Sequence, residues 1–152
     1  SAGRVTCCRH AIARQKPKLH LLSIGVSNYA NAKLNLRYAH VDAEKFADAW
    51  QGQRWPMYVE VTTKLMLNEE ASSKGVQAAI AELLASVERR DIAVIFISAH
   101  GVRDAKREYY LATHDIDPAR LAETSMHFSA ITKLLENLPC KVLMFVDTCH
   151  AE

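Results

Sequence analysis

IAVIFIS, at residues Ile92–Ser98, is an almost unbroken apolar run that is rich in β-branched side chains. Two other runs share this character, LHLLSIGV at Leu19–Val26 and KVLMFVD at Lys141–Asp147. Short runs of this kind predict strands that are covered on both faces, as in a parallel sheet. A fourth stretch, YVEVTTKLML at 58–67, alternates from one position to the next and predicts a half-exposed strand.

Helical patterns lie between these predicted strands. Apolar residues recur at the spacing of one helix face in three stripes: Val76, Ile80, Leu83, Leu84 and Val87; Phe128, Ile131, Leu134, Leu135 and Leu138; and Ala39, Ala43, Phe46, Ala47 and Trp50. Strands that alternate with helices predict an α/β fold, a mostly parallel open sheet with helices on both faces. The long irregular stretch at 103–125 is expected to form a small hairpin and a loop above that sheet.

The composition describes one ordinary globular domain. The chain has 152 residues, of which 49% are hydrophobic and 24% charged, and its net charge is +2. This charge is too small to indicate nucleic acid or an anionic membrane as the main partner. No acidic residue precedes Asp42, so residues 1–18 are predicted to be a solvated basic lead-in and 19–152 the domain. The apolar run at Leu19–Val26 is too short to span a membrane.

The four cysteines are Cys7, Cys8, Cys140 and Cys149, and their spacing does not resemble a disulfide framework. The CCRH stretch at 7–10 lacks a second ligand pair at a zinc-like distance. We therefore expect reduced thiols in a cytoplasmic protein, with no bound metal and no cofactor.

Two of the predicted strands end at residues whose side chains can take part in catalysis. IFISAHG places His100 just past one strand, and MFVDTCH places Cys149 just past another. Parallel sheets bind ligands beyond the carboxyl ends of their strands, and neighbouring strands lie about 5 Å apart. If the two strands are adjacent, His100 faces Cys149 across one crevice and supplies the base that a nucleophilic thiol needs. A buried structural cysteine and a structural histidine explain these two residues equally well.

The sequence around these residues resembles that of the large subunit of the caspase–metacaspase peptidases. SAHG at 98–101 is followed by DTCHA at 147–151, and Cys149 lies 49 residues after His100, close to the interval of about 50 in caspases. The resemblance extends through LLSIGVSNY at 21–29, LNLRYAHVDAEKFADAW at 34–50 and YYLATHDIDP at 109–118. It implies a three-layer caspase-like fold, and as partner a small subunit from the same precursor.

The same resemblance implies a cysteine endopeptidase that acts on peptide or protein substrates. Cys149 would be the nucleophile and His100 the general base, and the backbone N–H groups of Gly101 and Cys149 would form an oxyanion hole. A glycine at 101 would also let the substrate carbonyl approach the backbone. Glu152 stands where the family usually has glycine, which leaves a catalytically silent caspase-fold interaction module as the alternative. A flavodoxin-like binding domain lacks support, because no Gly-rich phosphate loop follows a strand.

The resemblance also implies a substrate preference. Asp147, two positions before Cys149, and Asp42, in RYAHVDAEKF, match acids of the first substrate pocket in metacaspases, and Ser98 matches a polar residue of that pocket. Two carboxylates in a partly desolvated slot would bind a guanidinium through charge-assisted, bidentate bonds, so cleavage after Arg would exceed cleavage after Lys. For Asp42, a charge that complements a helix dipole is the alternative.

Many metacaspases bind calcium through clustered acids, and Asp115 and Asp117 lie in THDIDP. One or two carboxylates do not make a site of six to eight oxygens. We expect a turn beside Pro118 instead, and no calcium requirement.

Overall fold

The computed structural model describes residues 16–52 and 57–150, and for Cys149 and His150 the backbone only. Most of the predicted basic lead-in, including Cys7 and Cys8, lies outside these residues. The strands are β1 (Leu19–Gly25), β2 (Val61–Leu67), β3 (Ile92–Arg103), β4 (Tyr109–Ala112), β5 (Ser125–His127) and β6 (Lys141–His150). The helices are α1 (Ala39–Gln51), α2 (Ser73–Ser86), α3 (Leu121–Thr124) and α4 (Phe128–Glu136), with short 3-10 turns at Ala32–Leu34, Asn68–Ala71 and Pro118–Arg120.

Four parallel strands form the centre of a mixed six-stranded sheet. β1 pairs with β2 and β3, and β3 pairs on its other edge with β6. The predicted α/β class, a mostly parallel open sheet, is therefore confirmed. The irregular stretch forms the expected small hairpin, but the hairpin extends the sheet and does not lie above it, because β3 runs on to Arg103, past the end of β1. β4 pairs antiparallel with this extension through Gly101–Arg103, and β5 pairs with β4.

Helices cover both faces of the sheet, as predicted. On one face, α2 and α4 pack Val76, Ile80 and Ile131 against the sheet in the larger hydrophobic cluster. On the other face, Ala47 of α1 packs with Leu21 and Val94 in a smaller one. Each large aliphatic side chain buried in this way contributes about 1.5–3 kcal/mol relative to exposure, so the two clusters hold the layers together.

β6 is less covered than its sequence predicts. Leu143, Phe145 and Val146 are 46%, 43% and 38% exposed. In the part of the chain that the structure describes, β6 pairs with β3 alone, so its outer edge is open. The prediction of a strand is confirmed, and the prediction that both its faces are covered is wrong.

Close packing brings the start of α1 onto the carboxyl end of β1. A Cβ on Gly25 would lie 2.6 Å from the Cβ of Ala43, so only glycine allows this approach. The hydroxyl of Ser23 donates to the carbonyl of Ala43 at 2.8 Å and fixes the contact. The first turn of α1, with Asp42, is thereby held at the edge of the sheet where β3 and β6 end.

Candidate active site

The structure brings the predicted histidine and cysteine together. β3 and β6 are adjacent and parallel, and His100 is the register partner of Cys149. Neighbouring strands in a sheet lie about 4.8 Å apart. The two backbone positions are therefore side by side at the carboxyl end of the sheet, where α/β proteins bind their ligands.

Hydrogen bonds fix the orientation and the tautomer of the His100 ring. Its Nε2 lies 2.8 Å from the carbonyl oxygen of Leu34, and because a carbonyl only accepts, Nε2 carries a hydrogen and donates it. Its Nδ1 is buried and has no hydrogen-bond partner among the described side chains and backbone. In the neutral ring this Nδ1 is a bare acceptor, so His100 keeps a lone pair free to take a proton.

Tyr29 holds the backbone of His100. Its hydroxyl accepts from the His100 N–H at 3.0 Å, and the two rings lie 5.4 Å apart. Burial raises the pKa of Tyr29 to about 12, against a smaller lowering by the His100 N–H, so the phenol stays neutral at physiological pH. Neither Tyr29 nor Leu34 was predicted as part of the site, because a backbone carbonyl and a supporting phenol leave no motif of their own.

The loop that supplies Leu34 and Tyr29 is tied down by its neighbours. The side-chain oxygen of Asn68, a residue with a φ of 48°, accepts from the N–H groups of Ser27 and Asn28 at 3.0 and 2.9 Å. The His114 ring donates to the Asn28 carbonyl at 2.7 Å, and Asn35 accepts from the Tyr29 N–H at 2.8 Å. These bonds make the loop a rigid support for the His100 ring.

A cleft of about 240 Å³ next to this pair gathers all three residues predicted to bind substrate: Asp42, Ser98 and Asp147. They come from three elements, α1, β3 and β6, and Ser98 and Asp147 are register partners. Asp42 lies in the first turn of α1, so it also satisfies the alternative of a charge that complements the helix dipole.

One carboxylate of the cleft, that of Asp147, is more exposed to solvent than predicted. Ser98 is only 4% exposed and Asp42 is half-buried, but Asp147 is exposed because the outer edge of β6 is open. In the described chain the partial desolvation expected of the slot is therefore seen at Asp42 and Ser98 and not at Asp147. Arg37, which was not predicted, also lines the cleft, with its guanidinium 5.7 Å from the centre of the Tyr38 ring.

The structure places a side chain directly over Gly101. A Cβ at Gly101 would lie 2.6 Å from Cζ of Tyr109, whose phenol crosses β3 at this point. Room for Tyr109 is therefore one reason for the glycine. The approach of a substrate carbonyl and the role of the Gly101 N–H in an oxyanion hole stay predictions.

Asp115 and Asp117 have structural partners. The Asp115 carboxylate accepts from the Ser73 N–H at 2.8 Å and the Thr113 hydroxyl at 2.7 Å. Asp117 caps the turn at Pro118–Arg120, as predicted, and hydrogen bonds from the Ala119 N–H and the Arg120 side chain lower its pKa. Among the side chains described, at 16–52 and 57–148, no three His, Cys, Asp or Glu are grouped to hold a metal ion. None of the helices described there is long and apolar enough to cross a membrane.

An open, mostly parallel sheet with a cysteine and a histidine in register at its carboxyl end defines an α/β protein with a candidate cysteine–histidine site. The family model described as Caspase domain, Peptidase_C14, matches residues 19–152, so the chain belongs to the caspase domain family. A crystal structure of protein GSU0716 from Geobacter sulfurreducens has a similar fold, with a TM-score of 0.69 and 21% sequence identity. The match covers 89% of this chain and 52% of that one, so this chain spans about half its length. No curated protein matches the sequence.

Proposed function

We propose that the protein is a cysteine endopeptidase in which Cys149 is the nucleophile and His100 the general base. One observation supports this proposal above the others. His100 and Cys149 are register partners, and the His100 ring donates through Nε2 to Leu34 while its Nδ1 is left without a partner among the described groups. A purely structural histidine would be expected to use both nitrogens.

The chemistry follows from this arrangement. Nδ1 of His100 takes the proton of the Cys149 thiol, and the thiolate attacks the carbonyl carbon of the scissile peptide bond. The backbone N–H groups of Gly101 and Cys149 donate to the oxyanion. The imidazolium, whose Nε2–H stays bonded to the Leu34 carbonyl, then protonates the leaving amine. Water, deprotonated by the same ring, hydrolyses the acyl-enzyme and restores the thiol.

The two carboxylates of the cleft outnumber its one guanidinium, Arg37, and this excess supports a preference for basic residues before the scissile bond. Asp42 and Asp147 lie in one cleft with Ser98, and together they offer carboxylate oxygens to a guanidinium. An acidic substrate side chain would be repelled. We therefore expect Arg to be preferred over Lys, because only Arg presents a planar fork to two acceptors.

A small subunit from the same precursor is the proposed partner. Leu143, Phe145 and Val146 are large apolar side chains left exposed on β6, whose outer edge is open in the described part of the chain. Open apolar edges pair readily with another strand. A downstream segment that adds a strand there would cover these side chains and complete the cleft beside Asp147.

The proposal is tested by replacing the two reacting groups. Cys149→Ala and His100→Ala should each abolish cleavage of arginyl peptides by the protein assembled with its downstream segment, with an unchanged circular dichroism spectrum. Cys140→Ala and His127→Ala are the matched controls and should retain activity, since neither residue lies at the carboxyl end of β3 or β6, and burial raises the pKa of the Cys140 thiol. Full activity in Cys149→Ala, or no turnover by the unmodified protein, would overturn the proposal.

A further inference from the structure

Tyr109 connects three neighbouring strands beneath the candidate active site. It belongs to β4, where it is the register partner of Arg103 on β3. Its phenol crosses β3 over Gly101, and its hydroxyl shares a hydrogen bond of 2.7 Å with the hydroxyl of Thr148 on β6. Only a residue without Cβ at 101 leaves room for this crossing.

The contact lies next to both reacting positions but outside the substrate cleft. Gly101 directly follows His100, and Thr148 directly precedes Cys149. Side chains alternate between the faces of a strand, so Thr148 lies on the face opposite Asp147, which lines the cleft. On that opposite face the Tyr109 ring packs edge-on against Phe128 of α4, with ring centres 5.7 Å apart.

The need for such a contact follows from the sheet order. β6 pairs with β3 and with no other described strand, so its carboxyl end is held from one side. Strand ends at an open edge separate readily. A side-chain bond that spans β3 resists this separation at the point where the register of His100 and Cys149 is set.

We propose that Tyr109 is a positioning residue, whose hydrogen bond to Thr148 across Gly101 keeps Cys149 in register with His100. The catalytic consequence rests on the proposed peptidase function, whereas the effect on the strand ends does not. In this role Tyr109 acts through Thr148.

Two variants each remove one hydroxyl of the bond, and a third retains it. Tyr109→Phe keeps the ring over Gly101, Thr148→Val keeps the shape of the threonine, and Thr148→Ser keeps the hydroxyl. Tyr110→Phe is the matched control, because Tyr110 is the next residue on β4 and packs instead against the His127 ring. The hydrogen-exchange rates of backbone amides at 99–101 and 147–149 are measured in the 152-residue chain, whose described strands leave the outer edge of β6 open. The pH profile of Cys149 alkylation by iodoacetamide is measured in the same chain by peptide mass spectrometry.

Tyr109→Phe and Thr148→Val should each speed exchange at these amides about three- to tenfold, the range expected for one neutral hydrogen bond. The double variant should be no faster than Tyr109→Phe alone, because Tyr109→Phe already removes the bond that Thr148→Val removes. Thr148→Ser and Tyr110→Phe should exchange at the unmodified rate. Unchanged exchange in both Tyr109→Phe and Thr148→Val would overturn the proposal, whatever the alkylation shows.

The alkylation profile separates positioning from general stability. With Cys149 less well placed beside His100, Tyr109→Phe should alkylate several-fold more slowly than the unmodified protein at pH 7 and equally fast where the thiol is fully ionised. Faster exchange together with an unchanged profile would overturn the positioning role and leave a structural bond only. If His100→Ala leaves the profile of the unmodified protein unchanged, the proposed peptidase function itself fails, and the exchange rates still decide whether the bond holds the strand ends.

Discussion

Individual residues in the site differ in how readily sequence reveals them. His100, Cys149, Asp42, Ser98 and Asp147 each belong to a motif with a characteristic spacing, and the structure brings them to one edge of the sheet. Leu34 and Tyr29 support His100 through a backbone carbonyl and a phenol. No spacing in the sequence encodes these two contacts, because they depend on how the loop after β1 folds back over β3.

The acids of the cleft give a prediction at this scale. Asp42→Asn should lower kcat/KM for arginyl peptides about 10- to 100-fold, which corresponds to the roughly 1.5–3 kcal/mol of a hydrogen bond between charged groups, and Asp147→Asn should lower it less. Asp42 is half-buried and Asp147 is exposed, so Asp42→Asn should have the larger effect. Matched peptides with Arg, Lys, Leu and Asp before the scissile bond provide the measurement.

Glu44→Gln is a suitable control for these variants, since Glu44 is an exposed acid of α1 that does not line the cleft. A preference for Asp or Leu peptides, or unchanged arginyl cleavage in both variants, would contradict the proposed pocket and leave the cysteine peptidase proposal standing.

The elements were predictable where one physical signal dominates. Uninterrupted β-branched runs predicted β1, β3 and β6, and apolar stripes predicted α1, α2 and α4. β4 and β5 were not separated from the irregular stretch, because their pairing depends on the free edge of β3 beyond β1. The exposure of β6 was missed for a related reason. The apolar composition of this strand is typical of a buried strand, whereas in the described chain only β3 pairs with it.

Asp91 gives a prediction on the pairing of β1 and β3. It is 2% exposed and accepts from the N–H groups of Lys18 and Glu88 and from the His20 ring. Burial alone would raise its pKa, but these hydrogen bonds lower it overall from 3.8. The stabilisation is therefore present above the unfolded pKa of about 3.9 and is lost as the pH falls through the folded value.

Asp91→Asn should reduce the free energy of unfolding by about 1–3 kcal/mol at pH 7, because it leaves buried donors imperfectly paired. The difference from the unmodified protein should shrink below pH 4. Urea denaturation at pH 7, 5 and 3 measures both effects, with the exposed Asp48→Asn as control. An equal loss at pH 7 and pH 3 would show that the ionised carboxylate is not what holds the strands.

At the scale of the whole molecule, the open edge of β6 predicts dependence on a further segment. Residues 1–152 alone should show little activity, and co-expression with the downstream segment should restore activity or solubility, because a new strand would cover Leu143, Phe145 and Val146. Turnover by the isolated chain at the rate of the assembled protein would show that the cleft beside Asp147 is already complete.

The central claim is that the His100 ring activates Cys149 for attack on a carbonyl beside a basic side chain. The most direct measurement is labelling of the assembled protein with a peptidyl-arginine acyloxymethyl ketone, with the modified residue located by peptide mass spectrometry. We predict one adduct per chain on Cys149, strongly slowed in His100→Ala and outcompeted by arginyl but not by aspartyl peptides. An adduct on Cys140, or equal labelling of Cys149 in His100→Ala, would contradict the claim.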